Sequence, residues 1–255
     1  MSQRKAAIKQ IMQTIPSPVE MASLIKKQGA EFDASILNPT SNMENYTNVR
    51  QQAINLGVYG ADLSYASMFE QQQQSILHLA AARGLAKKMG VEDAIDNNLI
   101  ERMNDNRNNK DSLLKIVADA YYNLNAYLKD GQREHVSALV IAGGWIEGLH
   151  LATHHVNADN ERLKERIAEQ KYSLKDLITL LETYENEPAL TNVITDLKEV
   201  QAVFDDVEIK KNKTETSRDN SGKMVIGGGS SITMSDETLE AIKTKIQDVR
   251  SQYIQ

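Results

Sequence analysis

The stretch Asn55–Phe69, NLGVYGADLSYASMF, decides how this chain folds. Its apolar residues recur at three and four rather than at two, so it reads as the buried face of a helix. Two glycines and an aspartate interrupt that face. Glycine inside a helix costs about 0.5–1 kcal/mol relative to alanine, so Gly57 and Gly60 need a compensating reason, and close approach of another backbone supplies one. Asp62 is the sharper problem. Its neighbours at three and four are Val58, Tyr59, Tyr65 and Ala66, which puts a carboxyl group on an aromatic, apolar face. An unpaired charge there is costly, so Asp62 must be hydrogen-bonded, metal-bound or protonated.

A second segment echoes the first. GGWIEGLHLA, Gly143–Ala152, again sets glycine and an aromatic ahead of an acid, here Glu147, with His150 and Leu151 on the same face. The echo predicts two central helices packed closely, with Asp62 and Glu147 near one another or near helix ends that they satisfy. Gly143, Gly144 and Gly148 call for the same explanation as Gly57 and Gly60.

The remainder is helical in the same sense. SPVE, Ser17–Glu20, carries a capping box with Pro18 at the first helical position, and a helix of about 12 residues follows towards Gly29. LNPTSNMEN reads as a turn, and helical spacing resumes near Met43, runs through the opening stretch with a break near Phe69, and ends at Gly90. After a short polar helix, Leu114, Val117, Tyr121, Leu124 and Leu128 form a seam ended by Gly131. The most apolar helix follows, and its window Ala138–Ala152 falls short of the roughly 20 residues that span a bilayer, so no transmembrane segment is expected. A further helix is expected from Ser173, and another from Pro188 with a seam through Leu190, Val193, Leu197, Val200 and Phe204. From Val207 the composition turns β-branched and glycine-rich, predicting strands over Val207–Thr214 and Lys223–Ile226 around Asp219–Gly222. A last helix from Ser235 presents Leu239, Ile242, Ile246, Val249 and Tyr253. The expected fold class is all-α: a helical bundle over 1–206, a β-hairpin insertion over 207–234 with a flexible linker as the alternative, and a C-terminal helix over 235–255 that docks back, one domain overall.

Composition excludes several functions. A net charge of −6, from 29 Lys and Arg against 35 Asp and Glu, leaves no broad footprint for nucleic acid. The chain has no cysteine, which removes disulfides, thiolate metal sites and a cysteine nucleophile. No phosphate loop, dinucleotide fingerprint or nucleophile motif is present, so the expectation is a non-catalytic protein without a cofactor.

Three readings of the two acids remain open. They are buried acceptors for tyrosine hydroxyls, Trp145 or helix-terminal amides; or they line a polar ligand pocket with Tyr59, Tyr65, Trp145 and His150; or they hold metal. For metal, Glu147 and His150 form an E-x-x-H pair and His154 lies one turn on, the spacing by which helical bundles build carboxylate-bridged centres, but a second E-x-x-H is missing. His154 and His155 fall at a helix end, where the dipole favours an imidazolium.

With TIPSPVEMASLIKKQGAEF, LNP and INLGVYGADLSYASMFEQQQ in place, the chain resembles an uncharacterised family of helical bacterial cell-envelope proteins. In that family an IPSP segment precedes a helix and an NLGIYGADLGY-like segment follows. The match spans Thr14 to about Gly90, with looser similarity in the hairpin and last helix. Members resemble exported lipoproteins, so the resemblance implies a signal peptide and lipid anchor on a longer precursor and a periplasmic or outer-membrane-anchored location; without such a precursor the expected location is cytoplasmic. The partner expected is a small ligand or another protein, bound through the bundle.

Overall fold

The computed structural model describes residues 14–95, 98–106, 109–156, 160–184, 186–218 and 224–255. The chain is predominantly helical, with α1 (Pro18–Lys27), α2 (Val49–Met68), α3 (Gln72–Lys88), α4 (Leu99–Asp105), α5 (Lys110–Asp130), α6 (Glu134–His155), α7 (Glu161–Glu182), α8 (Pro188–Phe204) and α9 (Asp236–Tyr253). A hairpin of β1 (Glu208–Arg218) and β2 (Met224–Thr233) precedes α9. The all-α class with a small C-terminal hairpin and a returning helix is therefore the fold that the sequence implies.

Local chemistry sets the helix ends. Ser17 and Glu20 close the expected capping box on α1, with the Ser17 amide 2.7 Å from Glu20 Oε2. α2 starts later than the spacing suggests, because Thr40–Asn45 forms a 3₁₀ turn and Asn48 with Gln51 builds a second capping box ahead of Val49. Glu70, at φ 61°, breaks the chain between α2 and α3, and Gly90, at φ 66°, ends α3. α7 corrects the sequence reading outright. It begins at Glu161 under an Asn160 cap, and Ser173 lies in its middle, its hydroxyl turned to Gln170 rather than capping a new helix. A polar first half, ERLKERIAEQK, hides the fact that Leu163, Ile167 and Ala168 already face the core.

α2 and α6 form the centre, buried on nearly every side. Neither shows a polar face because neither meets water, the pattern of a helix surrounded by others. Their crossing explains two of the glycines. A Cβ on Gly57 would fall 2.0 Å from the Val140 carbonyl oxygen, and one on Gly143 would fall 1.9 Å from that of Ile54. The backbones touch, so these positions admit no side chain. Gly144 faces the Tyr121 hydroxyl, Pro18 and, at 3.5 Å, the Gly57 carbonyl oxygen, whereas Gly60 and Gly148 meet the side chains of Tyr121 and Met21. Gly60 thus does not make the helix crossing expected of it.

By length and composition α6 could cross a membrane, since it runs 22 residues, longer than the apolar window suggests. However, 94% of its most apolar stretch is buried against neighbouring helices, as in the core helix of a bundle.

The strands pair antiparallel from Glu208–Thr233 to Arg218–Met224, with an irregularity between Asn212 and Glu215. Both run further than the alternation predicts, and the Asp219–Gly222 turn lies outside the described residues. α9 then returns and packs on α6 and α8. Its Leu239, Ile242, Ile246 and Val249 are buried, as are all five seam residues of α8. The Tyr253 hydroxyl donates to Asp196 of α8.

The crossing gives a test. By helix propensity alone Gly143→Ala should stabilise the protein, but overpacking against a carbonyl makes the expected outcome a loss of about 1–3 kcal/mol or more in urea unfolding. Gly60→Ala, which meets only the Tyr121 ring at 3.3 Å, should cost much less.

Candidate functional site

Two places in the bundle carry polar chemistry that packing alone does not require. The first is a charged centre under α9. Arg250 follows the buried stripe Ile242–Ile246 by one more turn, so its side chain points inward with them. Its Nε lies 2.6 Å from Glu147 Oε2 and its Nη2 2.8 Å from Glu147 Oε1, a two-point pair between residues 4% and 0% exposed. Nη2 also donates to the Ile36 carbonyl at 2.9 Å. His150, one turn beyond Glu147, shares that carbonyl through Nε2 at 3.2 Å, which makes it the neutral Nε2–H tautomer; burial pushes its pKa down.

Asp62 completes the centre from α2. Its Oδ2 accepts the Asn38 backbone amide at 3.1 Å, and His78 Nε2 of α3 stands 3.6 Å from the same oxygen. Full burial and the neighbouring Glu147 carboxylate hold the Asp62 pKa well above the usual carboxylate range, so the acid is protonated. The two acids therefore do lie together, as the echo predicts. With Arg250 cationic, Glu147 anionic, and Asp62, His78 and His150 neutral, the centre carries no net charge. That is how this much ionisable chemistry survives out of water.

A loop seals the centre. Asn38, buried between Leu37 and Pro39, gives its side-chain amide to the Tyr46 hydroxyl at 3.0 Å and to Asn55 Oδ1 at 3.2 Å. The last carbonyls of α9, orphaned as at any helix end, are taken by the same group. Asn55 reaches Tyr253 O, and Asn42 reaches Ile254 O, both at 2.8 Å. The C-terminal helix is tied at its side chain and at its end.

The other expected site residues scatter. The Tyr59 hydroxyl donates to the Pro39 carbonyl at 3.0 Å. That of Tyr65 meets the Asp33 amide at 3.0 Å and His155 Nε2 at 2.7 Å, with the two rings stacked. Trp145 Nε1 donates to Ser173 Oγ at 2.9 Å and so serves neither acid. The geometry does not bring Glu147, His150 and His154 to one point, because His154 turns to Asp33 at 3.3 Å while Glu147 faces Arg250. Among the described residues no three His, Asp or Glu side chains are placed to share a metal ion. His155 corrects the helix-dipole expectation: burial pushes its pKa down to about 4, so it is neutral.

The second place is a cavity of about 230 Å³ between α1, α5 and α6. Pro16, Pro18, Tyr121, Tyr122, Ile141 and Trp145 wall it, Ser64 and Asn125 add polar atoms, and no charged side chain among the described residues lines it. Asn125 accepts from Ser137 through Oδ1 at 2.6 Å, and its NH₂ has no partner among the described residues. Tyr122 stands 75% exposed at the mouth.

The chain matches no family model, and no curated protein and no solved structure matches it either.

Sequence reasoning passed over Arg250, Asn38 and His78. Arg250 carried a signal, since it continues the Ile242–Ile246 spacing, and Asn38 sits beside Pro39 in a stretch read only as a turn. His78 had none that separates it from a surface histidine.

A buried pair is judged by breaking it. Arg250→Met leaves Glu147 buried without a partner and should cost about 3–5 kcal/mol in denaturant unfolding, whereas Glu147→Met combined with Arg250→Met should recover much of that loss.

Proposed function

We propose that this protein is a non-catalytic binding protein of the bacterial cell envelope that takes a small, uncharged, largely apolar ligand between α1, α5 and α6. One observation carries the binding reading. Two prolines and three aromatic rings surround a cavity that stays open beside an otherwise closely packed core, with the Asn125 side-chain amide at its wall. Apolar walls with a few fixed polar groups are the usual make-up of a ligand pocket, and a volume near 230 Å³ suits one ring rather than an extended chain. The envelope assignment rests on the likeness of the IPSP and NLGVYGADLSY segments to envelope proteins. Support for a non-catalytic role comes from the separation of the two places: the perturbed titratable groups Asp62 and His78 lie closed off with Glu147, and none of the three lines this cavity.

Trp145 is the single tryptophan of the chain and lines the cavity, so its emission reports directly on occupancy. Titration with a panel of uncharged aromatic and aliphatic compounds should give a saturable change in Trp145 fluorescence. Ala118→Phe, which fills the cavity from its rim, should abolish the change without altering the melting temperature by more than a degree or so. A panel that leaves the emission unmoved at about 1 mM, a weak-binding limit, would remove the proposal.

A further inference from the structure

Among the described residues two buried side-chain polar atoms lack any partner: Asp62 Oδ1 and His78 Nε2. They belong to adjacent side chains, since His78 Nε2 is 3.6 Å from the other oxygen of the same carboxyl group. The remaining atoms of both groups are committed. His78 Nδ1 lies 2.9 Å from the Gln74 carbonyl, which can only accept, so Nδ1 carries the hydrogen and Nε2 presents a bare lone pair. Asp62 Oδ2 accepts from Asn38. Two acceptors thus face a buried space with no donor between them, which buried polar groups do not tolerate.

We propose that a single proton, carried on Asp62 beside the His78 Nε2 lone pair, is a fixed constituent of the folded protein, so that Asp62 forms a buried proton-binding site. An O–H on this carboxyl has two acceptors beside it, the His78 Nε2 lone pair and the Glu147 carboxylate. Burial selects this form over the alternative ion pair. Glu147 on α6 opposes a second carboxylate beside it but favours an imidazolium, and Arg250 on α9 favours the Asp62 carboxylate, so these two charges offset one another. Tyr59 on α2 and Tyr46 in the 3₁₀ turn add only neutral hydroxyls, and His150 on α6 is neutral with its proton on the Ile36 carbonyl. Burial works in the same direction on both partners, raising the pKa of Asp62 and lowering that of His78.

The site has a defined pH signature. A carboxyl whose folded pKa is raised contributes fully below its unfolded pKa, near 4, and loses stability as pH rises towards the folded value. His78 and His150, with lowered pKa values, act on the acid side instead, losing stability as pH falls below about 6.5. Asp62→Asn keeps both histidines and replaces the carboxyl proton with an amide hydrogen, so comparing it with wild type isolates the carboxyl.

Carbon-detected NMR of the wild-type chain should show the Asp62 carboxyl in its protonated position from about pH 5 to pH 8, with His78 protonated on Nδ1 alone. The melting temperature of wild type should fall relative to that of Asp62→Asn as pH rises through this range. Asp62→Leu, which leaves His78 Nε2 and the Asn38 amide unsatisfied, should lie below Asp62→Asn at every pH. An ionised Asp62 carboxyl at neutral pH, a proton on His78 Nε2, or a constant difference between wild type and Asp62→Asn would each overturn the proposal.

Discussion

The two-point contact between Arg250 and Glu147 ties the end of the chain to its centre, and most of the architecture follows from it. Glu147 can sit at zero exposure on α6 only if a cation reaches it, and the helix that supplies one comes from residues more than a hundred positions later. α9 must therefore dock with its fifth turn over Glu147, which fixes its register along α6 and α8. A buried ion pair adds little net stability over a well-packed apolar pair, but one placed wrongly is severely penalised. The contact acts here as a register pin. Asn55, Asn42 and Tyr46 repeat the instruction by taking the last carbonyls of the same helix.

Charge neutrality then dictates the rest of the centre. Arg250 balances one carboxylate and cannot balance two at this depth, so Asp62 is held protonated and both nearby histidines neutral. The close crossing at Gly57 and Gly143 brings the acids together in the first place, since wider helix separation would move Asp62 away from Glu147. Backbone contact, carboxyl proximity and the docking of the final helix are three aspects of one packing solution. The apolar cavity at α1, α5 and α6 lies apart from it, which leaves the cavity walls free to vary without disturbing the pin.

Much of this was legible in sequence because it obeys local rules. The capping box of α1, the seams of α8 and α9, and the oddity of an acid on an apolar helical face all follow from spacing within one element. The nearness of Asp62 and Glu147 could be inferred because two segments repeat one pattern. What could not be read depends on partners far apart along the chain. Nothing local shows that Arg250 finds Glu147, that Trp145 bonds to Ser173, or that Asn38 joins α2 to the last turn of α9. Ser173 shows the reverse failure: a good capping residue inside a helix whose first half is polar enough to resemble a loop. His155 shows that burial can outweigh a favourable helix dipole.

Native-state hydrogen exchange tests the central claim most directly, because it measures whether α9 opens with the core or apart from it. If Arg250 pins the final helix to Glu147, the amides of Ile246–Arg250 should exchange with the same opening free energy as those in the middle of α2 and α6. Exchange of α9 in a separate, lower-energy opening, while α2 and α6 stay protected, would contradict the account and make the C-terminal helix an appendage.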